Sequence, residues 1–179
     1  MNPVEKIREQ HRTALLQGLA AKPHRKRIMH LDDIRSIGII VHNLNDDEQI
    51  TLTQFSHHMT TNRGTMVRKL EINGNPEEQL DKYGIPKVDH QLFTSYHYDL
   101  LIDATPTNDI FGLFVTLNAS SNLRVIYYDT TQPIQDIILS SYDLIIRGEG
   151  PLVLSKYLTN ILNYLIQIRK TPSRQIYRQ

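Results

Sequence analysis

Residues 34–72 read IRSIGIIVHNLNDDEQITLTQFSHHMTTNRGTMVRKLEI, and this stretch decides the fold. Ile34 to His42 is an almost continuous run of apolar, largely β-branched residues, the pattern of a strand buried on both faces in a parallel sheet. The polar loop Asn43 to Asp47 predicts a helix start, with Asp46 or Asp47 as its cap. The helix should run to about Thr60 with Leu52, Phe55 and Met59 as its buried stripe, and Asn62-Arg63-Gly64 should end it. Thr65 to Ile72 then reads as a second strand. Strand, helix and strand in about forty residues make a β-α-β unit, for which a right-handed crossover is nearly obligatory.

Working outward, the alternation continues. Tyr98 to Ala104 predicts a third strand, 110–120 a helix, Leu123 to Tyr128 a fourth strand and Tyr142 to Arg147 a fifth. One helical turn is expected at 134–139, a short helix at 77–83, and a final helix from Pro151 to Ile168. Val4, Ile7, Leu15 and Leu19 recur at roughly helical spacing and predict a helix over 4–20. The expectation is an α/β fold: one open, doubly wound, mostly parallel five-stranded sheet, flavodoxin- or Rossmann-like, in the order 2-1-3-4-5. A basic helical arm (1–30), semi-independent of the core, would precede the α/β domain (31–170), and a basic tail (171–179) would follow.

Charge is segregated along the chain. Residues 1–30 hold seven Lys or Arg against Glu5 and Glu9, and 169–179 hold four with no acid. Between them lie nine basic and seventeen acidic residues, so the body is acidic and the ends are basic. Contact with a polyanion or acidic partner would then fall to the ends, above all to Lys22, Arg25, Lys26 and Arg27. The arm has no aromatic residue to stack bases, which argues against ordinary single-strand recognition. The chain has no cysteine, which excludes disulfides, a thiol nucleophile and cysteine metal sites. Neither an export signal nor a membrane-spanning run is expected, and the reading is cytoplasmic.

In a doubly wound sheet, ligands collect beyond the carboxyl ends of the strands. Those ends carry His42, Asn43, Asp103, Thr105, Asp129, Arg147, Gly148, Glu149 and Gly150, which are the candidate ligand-binding residues. The same residue types also suit capping of the following helices and turns. Gly148-Glu149-Gly150-Pro151, between a strand and a helix, could cradle a phosphate, although Glu149 would repel one and no nucleotide-binding glycine motif is present. Asp143 to Gly150 is similar to the last strand-turn of cobalamin-binding domains of radical enzymes. The loop His42 to Asp46, however, lacks their Asp-x-His-x-x-Gly. His57 and His58 are adjacent on a helix and diverge, so no metal and no cofactor is expected. Asp99 and Asp103 share a strand face about 13 Å apart, too far for a glycosidase pair. No catalytic motif is complete, and no catalytic residue is assigned.

The basic helical start, the Ile37 to Ile40 strand, the Tyr83 to Pro86 turn and the Tyr98 to Asp103 strand together resemble a family of short, uncharacterised α/β proteins from Bacteroidota, a domain of unknown function. The resemblance implies a compact cytoplasmic α/β protein and brings no catalytic residues. Three readings follow. In the first, the chain is a non-catalytic interaction module whose basic arm contacts a protein or nucleic acid, RNA included. In the second, it is a small-molecule or nucleotide-binding domain, an enzyme among the possibilities, using the strand ends. A homodimer through the arm and the last helix is compatible with either.

Overall fold

The computed structural model describes residues 3–24, 26–74, 80, 81, 85, 87 and 90–168. Five strands form one sheet in the order β2-β1-β3-β4-β5. They are β1 (Ser36–His42), β2 (Met66–Ile72), β3 (His97–Ala104), β4 (Ser120–Asp129) and β5 (Leu144–Gly148), and every neighbouring pair is parallel. This is the flavodoxin-like order that the sequence predicts. The chain leaves β1 toward β2 on one side and returns toward β3 on the other, so the sheet switches direction between β1 and β3.

Among the described residues six α-helices flank the sheet: α1 (Pro3–Ala20), α2 (Asp46–Arg63), α3 (Gln91–Thr94), α4 (Ile110–Asn118), α5 (Asp136–Leu139) and α6 (Leu154–Gln167). Helices α2 and α6 cover one face. Leu52, Phe55, Met59, Leu158 and Ile161 pack there on alternate strand residues Ile37, Ile39, Leu100, Ile102 and Val125. Helices α3 and α4 cover the other face over Ile40, Tyr98 and Leu101. The cap of α2 is Asn45, not Asp46 or Asp47. Its side chain accepts from the Glu48 N–H while the Glu48 carboxylate accepts from the Asn45 N–H, a reciprocal capping box. Gly64 ends the same helix in the left-handed conformation at φ 62°, where a side chain would be strained.

The N-terminal helix departs from expectation. Far from semi-independent, its second half is docked on the body. Leu16 and Leu19 are buried with Leu113 and Leu117 of α4, Ile126 of β4, and Ile138 and Tyr142. The cause lies in α5, a single turn that leaves the β4–β5 end of its face uncovered; α1 supplies the missing helix. The buried stripe is correspondingly shorter than predicted: Val4 and Ile7, on the half beyond the body, are exposed. After α1 the chain crosses the amino edge of the sheet. The Arg27 N–H donates to the Asn122 carbonyl at 2.8 Å, His24 Nε2 lies 2.8 Å from the Asp143 carboxylate, and Met29, Leu31 and Ile34 enter the core on the opposite face. The segment thus straps both faces together.

Strand β4 begins three residues earlier than predicted, because α4 ends at Asn118 and Ala119 is already extended. Of the helix expected at 77–83 only Leu80 and Asp81 are described, and neither is helical; the tail 171–179 lies outside the described residues. No helix among the described residues is long and apolar enough to cross a membrane.

Candidate functional site

A cleft of about 630 Å³ opens at the carboxyl edge of the sheet. Its walls come from four places: His42, Asn43 and Leu44 after β1; Ala104 and Pro106 to Ile110 after β3; Tyr127 and Asp129 at the end of β4; and Pro151 and Leu152 after β5. It therefore sits over the point where the strand order reverses, where two successive connections diverge and leave a crevice.

His42, Asn43, Asp109 and Asp129 are each held by local chemistry. His42 closes β1 and pairs through Nδ1 with Asp109 Oδ2, bridging the two sides of the switch point; its Nε2 lies 3.4 Å from the Gly74 carbonyl. The other oxygen of Asp109 accepts the N–H groups of Phe111 and Gly112 at 2.8 and 3.1 Å, capping α4. Asn43 turns through a left-handed φ of 47°, which asparagine tolerates. Its amide brackets Gly74, accepting from that N–H and donating to that carbonyl, and so ties the β1 end to the chain leaving β2. Asp129 accepts at Oδ1 from the Thr131 N–H, the Thr131 hydroxyl and the Gly150 N–H at 2.9, 2.7 and 3.0 Å. The bonds from Thr131 hold its carboxyl below the usual range.

Beneath the cleft lies a second polar group. Asp103 is wholly buried. Its Oδ1 accepts from the Thr105 N–H and hydroxyl, and its Oδ2 from Thr116 at 3.1 Å and Tyr142 at 2.8 Å. The Tyr157 hydroxyl donates to the Asp103 carbonyl at 2.9 Å. Burial pushes the Asp103 carboxyl up, and the bonds from Thr105 and Tyr142 oppose that only in part. The same burial, with Asp103 close by, pushes the Tyr142 and Tyr157 phenols up. Asp103 and Thr105 therefore belong to the framework under the site; only Ala104 between them reaches the cleft.

Of the predicted residues the cleft gathers His42, Asn43 and Asp129. Arg147 and Glu149 are exposed outside its lining. The Gly150 N–H is held by Asp129 and so is not free to cradle a phosphate as the turn suggested, and the Gly148 carbonyl accepts from the Thr130 N–H and hydroxyl. In the arm, His24 and Lys26 face Asp143, Lys26 Nζ donating to its carbonyl at 3.3 Å. Lys22 and Arg27 are exposed, and Arg25 lies outside the described residues. Sequence reading missed Thr107, Asp109, Tyr127 and Leu152. Asp109 had a signal, as the polar residue before the apolar run 110–117, but its partnership with His42 joins residues 67 apart. Among the described residues no three His, Asp or Glu side chains group closely enough to hold a metal ion.

The fold and cleft define an open α/β domain with a crevice at its switch point. No family model and no curated protein matches the chain. Among solved structures the chain is similar to a response regulator receiver domain (CheY-like) from Methylobacillus flagellatus, at 12% identity and a TM-score of 0.40 over 73% of this chain and 98% of that one.

Proposed function

We propose that the chain is a binding domain for a small molecule held in the cleft at the carboxyl edge of the sheet. The observation that carries this is the coincidence of the cleft with the switch point, walled by four separate loops and closed at one side by the His42–Asp109 pair. Holding, rather than transforming, is favoured because the two hydroxyls in the wall already serve the fold. Thr107 Oγ1 accepts from the Asp129 N–H at 2.8 Å, and the Tyr127 hydroxyl donates to the Gly150 carbonyl at 3.0 Å. Neither is poised as a nucleophile beside a base.

The test is native mass spectrometry of gently purified full-length protein beside Asn108→Trp. Asn108 is exposed at the cleft, so tryptophan there obstructs it without disturbing the core. A small-molecule adduct on the parent chain that Asn108→Trp loses supports the reading. An adduct retained equally by both places the ligand elsewhere.

The second reading, a module meeting a protein or nucleic acid through the basic arm, is favoured by the exposure of Lys22 and Arg27 after α1 and of Lys6 and Arg8 within it. Because the arm is part of the fold, charge reversal at Lys22 and Arg27 tests it better than deletion. A salt-sensitive partner lost on reversal would support it, and a partner indifferent to salt and reversal would oppose it.

A further inference from the structure

The cleft has a definite electrostatic character, and it is not that of a phosphate site. Its charged wall residues are Glu48, Asp109 and Asp129, and among the described residues no Lys or Arg lines it. At three places round the cleft the backbone N–H groups that would attract an anion are taken by the chain's own side chains, whereas the start of α6, after Leu152, has no side-chain cap. Asp109 fills the start of α4, Asp129 holds the Gly150 N–H, and the Asn45–Glu48 box closes the start of α2. An incoming phosphate or carboxylate would meet fixed negative charge.

The carboxylates are not equally engaged. Asp109 uses both oxygens, one on the α4 N–H groups and the other on His42. Asp129 directs all three of its hydrogen bonds to Oδ1, leaving Oδ2 as an acceptor without a protein donor in the cleft wall. The surrounding wall is apolar, with Leu44, Pro106, Ile110 and Leu152.

Resting on the small-molecule reading above, we infer that the cleft takes an amphipathic cation, an amine on a compact apolar body, with the ammonium on Asp129 Oδ2 and the body against Leu44 and Leu152. An ammonium is a compact donor with no acceptor of its own, which suits a lone carboxylate oxygen better than a hydroxyl does. The apolar wall supplies area, and the carboxylate fixes orientation.

Three probes of similar size and opposite charge test this: 2-phenylethylamine, 2-phenylethanol and phenylacetate, each titrated into the ¹⁵N-labelled full-length chain. The inference expects the amine to shift the amides of His42, Asp129 and Leu152. Its affinity should be about fivefold or more above that of the alcohol, the scale of one partly screened ion pair. Phenylacetate should bind least. Asp129→Asn should bring amine and alcohol level while the alcohol still binds. Glu48→Gln, which retains the capping box, gives a second reading of the same charge dependence should Asp129→Asn disturb the fold; it should narrow the amine's lead. If all three probes bind the cleft equally, or phenylacetate binds best against the start of α6, which has no side-chain cap, the amine inference is overturned and the cleft stands. If none shifts cleft amides while another surface responds, the small-molecule reading fails with it.

Discussion

Asp103 shows how one buried carboxyl can shape stability without touching a ligand. Its folded value is raised by burial above the ordinary 3.8, so it remains protonated in the fold at pH values where the unfolded chain has ionised. Its stabilising contribution is therefore complete below that ordinary value and is lost as pH rises toward the folded one. Asparagine keeps the carbonyl acceptor for Thr105 and cannot ionise, and the hydroxyls of Thr116 and Tyr142 can rotate to accept from its amide. Urea denaturation should show the stability of Asp103→Asn minus that of the parent growing as pH is raised from 4 upward; an unchanged difference would contradict the linkage. Asp103→Ala leaves buried donors on Thr105, Thr116 and Tyr142 without an acceptor and should cost on the order of 3 kcal/mol at pH 5. Close packing acts at the same scale. A Cβ on Gly112 would collide with Thr105 Oγ1 and lie 2.7 Å from Thr105 Cβ. Gly112→Ala should lower stability by about 1–3 kcal/mol, despite alanine's better helix propensity, because the start of α4 has no room to move off β3. A thermal melt that rises instead would mean that this contact yields.

At the scale of elements, α1 belongs to the fold rather than being attached to it. The one-turn α5 cannot shield Ile126 and Leu117, and Leu16 and Leu19 do so. Leu19→Ala should destabilise the whole domain by about 2–4 kcal/mol in a single unfolding transition. Ile7→Ala, at a position 65% exposed, should change stability by less than about 0.5 kcal/mol. A separate early transition for α1 in hydrogen exchange, with the body unaffected by Leu19→Ala, would restore the picture of an independent arm. The sequence could not reveal this docking, because the deficit that α1 fills is the shortness of another helix more than a hundred residues away. It could reveal the strands. The run from Ile37 to Val41, and Leu100 to Ile102 within the third strand, place apolar residues on both faces, as a central parallel strand requires, and they point to the class of the sheet. Caps were legible to within a residue or two: Asn45 was passed over for its acidic neighbours because the capping box with Glu48 is a reciprocal geometry rather than a composition.

For the whole molecule, a topological rule located the site and the side chains then defined it. The expectation that ligands gather at strand carboxyl ends brought His42, Asn43 and Asp129 to the cleft. It also nominated Asp103 and Thr105, which point into the framework instead. Strand ends alone do not say which side of the edge a residue faces, and the decisive partner of Asp103, Tyr142, is 39 residues away. The cleft's acidic lining is not legible for the same reason: Asp109 and Glu48 stand at helix starts far apart in sequence, and only the folded sheet brings them round one opening. In the N-terminal basic segment His24 and Lys26 are turned toward Asp143, while Lys22 and Arg27 are exposed. Whether the cleft is the binding site, as proposed above, is decided by an ¹⁵N chemical-shift map of the full-length chain against a mixed fragment library, repeated on Asn108→Trp. A binding cleft gives its strongest responses on His42, Thr107, Asp109, Asp129 and Leu152 and loses them in the tryptophan variant; responses scattered over the surface, or concentrated on α1 and unchanged by Asn108→Trp, would put binding elsewhere.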